Sequence, residues 1–349
     1  MGILVACVFW LNGPRFQLGL YLKPRPQDLV VLPGKGLFYL DAKAKRVVWI
    51  DEKTLVPKVV VQEGQGPGEI VNLATSHLAA SEYLVVLAPK WGHQILVQQE
   101  TGVFVTKQVG FLGRGLPGMP YVCGPSFFWL SCAVDANPVT FGLAKVNLDQ
   151  EEGRLLYEMA LASPTDPDVF PTLFPTFTFH RSLTDDRLFW NLDDGHNPNS
   201  NEIKVYNLRE LRFEPSIRIQ SAIPARNGDF PEVLAMYQRQ KDRNPALKMA
   251  PIQRTPFVRS MRSGPAGELI VKRQRPGLAN VFETYDSAGK RIENAPDGRI
   301  FDWIVGYDGP QAYVLGYDTE TYSFFVQKMP FVEVSAFYSD DLLKALEEY

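Results

Sequence analysis

Seven polar side chains that could hold a cation crowd one short stretch: Asp193, Asp194, His196, Asn197, Asn199, Asn201 and Glu202. Carboxylate and amide oxygens beside a histidine are a donor set for a divalent ion, calcium among them. A calcium loop of the EF-hand type alternates oxygen ligands ahead of its glycine, and Asp194-Gly195-His196-Asn197 does not. The stretch also separates two strand-like segments, so a polar hairpin turn accounts for it without a metal. His77, His93 and His180 have no serine or aspartate signature beside them, and neither G-x-S-x-G nor H-E-x-x-H occurs. No catalytic residue and no metal ligand is therefore assigned, and no cofactor is expected.

The second candidate is electrostatic. Between Arg239 and Arg275 stand Arg239, Lys241, Arg243, Lys248, Arg254, Arg259, Arg262, Lys272, Arg273 and Arg275, opposed only by Asp242 and Glu268. That segment carries +8 in a chain of net charge −3, which leaves −11 for the remainder. Such a cluster is either a solvated face with partners on neighbouring elements or a docking surface for an anionic partner, whose approach its field would steer. On the second reading Arg239, Lys241, Arg243, Lys248 and Arg254 are the partner-binding residues. A net negative chain argues against specific nucleic-acid binding by the molecule as a whole.

The elements that position these residues follow from repetition. Apolar strands recur at Leu37, Tyr83, Phe127, Arg187, Gly267 and Gln311, at spacings of 46, 44, 60, 80 and 44. Most copies are followed, after a polar turn, by a second strand such as Arg46–Ile50, Gln94–Val97, Glu202–Tyr206, Asn280–Tyr285 or Tyr322–Val326. A period near 45 with about four short strands is that of a propeller blade. One such sheet cannot bury both faces alone; packed radially, each covers its neighbour. The 27 glycines and 27 prolines, together above the ~12% of an ordinary chain, supply the turns. Six copies predict an all-β, six-bladed propeller over residues 14–338, closed by Phe16–Leu22 joining the last blade.

The segment Gly64-Gln65-Gly66-Pro67-Gly68-Glu69 resembles the G-x-G-P-G-E inter-blade loop of bacterial six-bladed propellers of the NHL and TolB-like kind, with Gly113–Gly118 a degenerate echo. The resemblance implies an exported or lipid-anchored propeller. Glycine there permits positive φ, and Pro67 stiffens the crossing. It also implies an alternative, a lactonase, hydrolase or lyase with a divalent metal at the central channel.

Two stretches exceed the repeat. Ser163–Pro175 carries four prolines and reads as an extended surface loop. The longer one, about residues 221–256, includes a helix that Asp229 would cap, with Pro231 in its first turn and Asn244-Pro245 as its stop. A second helix, Leu342–Glu348 within a C-terminal segment 339–349, would be capped by Ser339 or Asp340.

Residues 3–11 form an apolar run, and Leu4-Val5-Ala6-Cys7 has the form of a bacterial lipobox with Cys7 as the lipidation site. The other reading of residues 1–13 is a first β-strand. Cys123 and Cys132 fall on one hairpin too far apart for a disulfide, so free buried thiols are expected. No run of 18 apolar residues occurs, so no spanning helix is predicted. The sequence thus predicts a non-catalytic exported propeller, periplasmic or on a bacterial cell surface. It would serve as an interaction platform or assembly subunit for a protein with an acidic surface, or for another anionic surface. Calcium is the ion the metal-dependent alternative would use.

Overall fold

The computed structural model describes residues 13–18, 28–66, 68–89, 94–98, 103–108, 116–133, 140–150, 152–160, 169–170, 176–193, 200–220, 222–224, 231–249, 254–273, 280–293 and 295–348. Cys7, Asp229 and the calcium-like residues 194–199 lie outside them, as do most of the first proline-rich loop and residues 19–22 of the expected closing strand.

Six four-stranded antiparallel sheets are arranged as the blades of one propeller. Blade one is Leu29–Leu32, Gly36–Asp41, Arg46–Asp51 and Pro57–Gln62; blade two Ser76–Ala80, Val85–Pro89, Gln94–Gln98 and Phe104–Gln108. Blade three is Leu116–Cys123, Ser126–Ala133, Thr140–Asn147 and Glu152–Ala160; blade four Thr176–Arg181, Arg187–Asp193, Glu202–Asn207 and Arg212–Arg218. Blade five is Ser260–Ser263, Leu269–Arg273, Val281–Tyr285 and Arg291–Ile292. Blade six combines Ile304–Asp308, Gln311–Asp318 and Ser323–Pro330 with the N-terminal strand Arg15–Leu18, which pairs antiparallel from Arg15 opposite Gln327 to Leu18 opposite Phe324. Gln327 Nε2 donates to the Gly13 carbonyl at 2.8 Å, and the Lys328 N–H to Pro14 O at 3.1 Å. Ring closure therefore uses both ends of the chain, as the repeat predicts.

The second strand of each blade explains why the pattern forms a ring. In Gly36–Asp41 every residue is buried. Leu37 and Tyr39 point into the core shared with blade six, while Phe38 and Leu40 point into the core shared with blade two. In blade four, Phe189 faces blade five, and Leu188 and Trp190 face blade three. Alternation at period two thus feeds two interfaces from one strand. Each large side chain so buried contributes on the order of 1.5–3 kcal/mol.

The Gly64–Glu69 loop depends on glycine chiefly through contact. Gly66 N–H donates to Glu69 Oε2 at 2.7 Å, and a Cβ on Gly64 would meet that oxygen at 2.0 Å. Only Gly68 has positive φ, at 76°. The echo beginning at Gly113 differs: its described part, from Leu116, is the inner strand of blade three.

The C-terminal helix is Asp340–Glu348, its first turn capped by Ser339 Oγ, which accepts the Leu342 N–H at 3.2 Å. Leu343 and Leu346 bury against blade six, and Tyr338 Oη donates to Leu315 O at 2.8 Å. In blade three, Cys132 sits opposite Leu116 and Cys123 opposite Ser126, too distant to bridge. Cys123 is free and buried; burial first, then Asp186 beside it, pushes the thiol up to about 11.

Candidate functional site

The insertion between blades four and five holds the helix Pro231–Lys241, ending close to the Asn244-Pro245 stop. It is tied down by Tyr237 Oη donating to Leu247 O at 3.2 Å, and by Lys248–Met249 pairing in parallel with Val169–Phe170 of the other insertion. Arg239, Lys241, Arg243 and Lys248 are exposed. Among the described residues none of them forms an ion pair; Lys241 Nζ only lies 5.3 Å above the Tyr237 ring.

Arg254 behaves differently. Its guanidinium grips Asp193 with two bonds, of 2.6 and 2.8 Å, and stacks 4.4 Å from the Phe257 ring. Asp193 is fully buried and also accepts the Phe257 N–H at 3.0 Å. Arg254 therefore fastens the insertion to blade four rather than facing outward. Further along, Arg262 and Lys272 share Asp302 at 3.2 and 2.6 Å, and buried Arg273 holds Glu283 at 2.7 Å. Arg259 is exposed, and Arg275 lies outside the described residues. The +8 segment thus divides: Arg254, Arg262, Lys272 and Arg273 are paired within the molecule, while Arg239, Lys241, Arg243 and Lys248 have no ion pair among the described residues.

The described members of the calcium-like set are engaged as well. Asp193 belongs to Arg254, Glu202 bonds Lys204 and Arg218 at 2.6 and 2.7 Å, and Asn201 Nδ2 donates to Ile219 O at 3.1 Å. Lys204, Arg218 and the hydrogen bonds they make hold the Glu202 carboxyl below its ordinary range. Among the described residues, no group of three His, Cys, Asp or Glu side chains is placed to hold a metal ion.

A third region carried no motif in the sequence. First strands pack on one another between blades one and two, two and three, four and five, and six and one, and so line the central channel. These strands run the same way, ending at Leu32, Ala80, Cys123, Arg181, Ser263 and Asp308 on one face. Near that face Arg181 of blade four reaches past blade three to donate to Ala80 O of blade two at 3.3 Å, so its side chain lies across the channel. His180 Nε2 meets Ser263 Oγ of blade five at 2.6 Å, and that oxygen also accepts the Leu183 N–H at 3.0 Å. Tyr307 Oη of blade six donates to Ser263 O at 2.8 Å. Burial, then the charges of Arg262 and Arg181, push His180 down to about 3, so the imidazole stays neutral. Burial likewise lowers Arg181 and raises Tyr121 beside it. Cationic and hydroxyl groups meet here, with Asp185 and Asp186 close enough to act on Arg181. The signal available in the sequence was the pair of polar doublets His180-Arg181 and Arg262-Ser263, each just upstream of a repeat start.

No family model and no curated protein matches the chain. Among solved structures it is similar to a chain of the nidogen/laminin complex, with a TM-score of 0.40, 11% identity, and coverage of 76% of this chain and 77% of that one. A catalytically inactive virginiamycin B lyase from Staphylococcus aureus with quinupristin gives 0.43, 12%, 86% and 79% for the same quantities. A luciferin-regenerating enzyme gives 0.42, 10%, 90% and 94%.

Proposed function

We propose that the protein is a non-catalytic binding propeller, an interaction platform or assembly subunit that docks an acidic protein surface through Arg239, Lys241, Arg243 and Lys248. The observation that carries this reading is the exposure of four cations, without ion pairs among the described residues, on a segment that ring closure does not need. Unpaired charge on such an addition steers and orients a partner. Arg254 contributes by holding the insertion in place. The engagement of Asp193, Asn201 and Glu202 in bonds of the fold supports binding over metal-assisted hydrolysis. Stoichiometric calcium or zinc in the purified protein would favour the enzymatic alternative instead.

The reading includes export, with residues 1–13 as signal or lipoprotein segment and Cys7 as the lipid-bearing residue. Mass spectrometry of protein from its source is expected to show loss of the first six residues; an intact Met1 counts against processing.

The docking test is the triple reversal Arg239→Glu, Lys241→Glu, Arg243→Glu. Partners retained by the native protein at low salt should be lost from this variant, and the salt dependence of association should flatten. Equal recovery of every partner by both proteins across salt concentrations would make the cluster a solvated face.

A further inference from the structure

We propose that the central channel binds an oxyanion, a carboxylate or phosphate group of a small molecule, on the guanidinium of Arg181. Cations elsewhere in the ring are matched by carboxylates: Arg187 by Asp185, Arg254 by Asp193, Arg273 by Glu283, and Lys328 by Glu52 and Asp308. Arg181 forms no ion pair among the described residues. The acids near it are taken, Asp185 by Arg187 at 2.6 Å and Asp186 by Arg209 at 2.6 Å.

A guanidinium carries five N–H donors. In Arg181 the bond to Ala80 O uses one, and Nε is buried with no partner. Arg262, whose charge acts on the same histidine, has a second buried and unpartnered Nε. Leaving buried donors unmade is costly, and for a charged group more so. The planar fork of arginine matches carboxylate and phosphate oxygens, two bonds at a time. Because His180 stays neutral between two arginines, an anion arriving there would relieve the field that holds its proton off. Arg181 is only half-buried, so a single anionic group can reach it, whereas a macromolecular surface meets it last. The site lies toward the face where the inner strands end. The insertion starts after Arg218 and returns before Ser260, on the opposite face, so the proposal is independent of docking by the helix.

The test uses the full chain and two probes, inorganic phosphate and succinate, each against chloride at matched ionic strength. Either probe at ~10 mM should raise the melting temperature of the native protein by mass action, and the arm that responds identifies the anion class. Arg181→Gln should weaken binding about tenfold or more, as loss of a charge-assisted bond requires. Arg181→Lys should recover only part, and the triple reversal on the insertion should bind like the native protein. If neither probe exceeds chloride, or if the shift survives in Arg181→Gln, the proposal is overturned. Should Arg181→Gln fail to fold, the His180 ring resonances of the native protein decide: titration to higher pH with anion present supports the site, and resonances unmoved by either probe sink it.

Discussion

Among the described residues Arg239, Lys241, Arg243 and Lys248 stand exposed without a carboxylate partner, whereas Arg254, Lys272, Arg273 and Lys328 each hold at least one at hydrogen-bonding distance. The two sets share a chemistry and differ in what surrounds them. Inside the ring, an unpaired charge would be uncompensated in a poorly solvated interface, so these four cations are tied to acids on their own or a neighbouring element. On the insertion, water solvates the charge and pairing adds little. The ring's cations therefore report on stability, and the insertion's on association. Arg181 fits neither set, being half-buried like Arg254 yet, among the described residues, without an ion pair like the insertion cations.

The comparison breaks most readily at Glu283. Its carboxylate holds Arg273, which is 1% exposed, and accepts the Tyr285 hydroxyl at 2.7 Å. Glu283→Ala would remove the acid that holds this buried guanidinium at 2.7 Å, with an expected loss of about 3–5 kcal/mol. Chemical denaturation measures it directly. A loss below about 1 kcal/mol would mean that ring cations are no more dependent on their acids than exposed ones.

A second effect distinguishes the channel. His180 is held to about 3, against an ordinary value near 6.5, by burial and by Arg262 and Arg181. The unfolded chain therefore takes the proton first. Stability conferred by the neutral imidazole is complete above pH 6.5 and declines as pH falls toward 3, by up to ~1.4 kcal/mol per pH unit. Groups common to both proteins cancel when the native chain is compared with His180→Gln. The stability gap between them should narrow on acidification from pH 7 to pH 4. Parallel curves would mean that the histidine is solvated and the channel is not a shielded site.

How much of this was legible in the sequence depends on which neighbours a residue has. The second strands were readable because both faces are buried: all seven residues of Arg187–Asp193 are inside, so the apolar signal is dense. Inner strands gave a weak signal because the channel accepts polar groups, as in Ser260-Met261-Arg262-Ser263. The basic run was visible, but its division was not. Asp193 lies 61 residues before Arg254, and Asp302 lies 30 after Lys272, separations that only blade packing closes. The loop glycines read in the sequence as backbone freedom, while Gly64 and Gly66 make room for the Glu69 carboxylate, a contact that spacing alone does not reveal.

The smallest expected effect on stability belongs to the insertion. Reversing Arg239, Lys241 and Arg243 to glutamate removes no ion pair among the described residues, only the weak placement of Lys241 over Tyr237 at 5.3 Å. Lys241 and Arg239 stand in the last turn of the helix, where the carbonyl end favours cations, so reversal there costs roughly 0.3–1 kcal/mol each at low ionic strength and less in salt. Arg243 lies beyond the helix end and should contribute within about 0.5 kcal/mol. The melting temperature of the triple variant should therefore fall by only a few degrees at low salt and by less at 0.5 M salt. A large drop that salt does not relieve would mean that the insertion cations are structural after all. The distinction between a presented surface and a paired interior would then fail at the place where it is most clearly drawn.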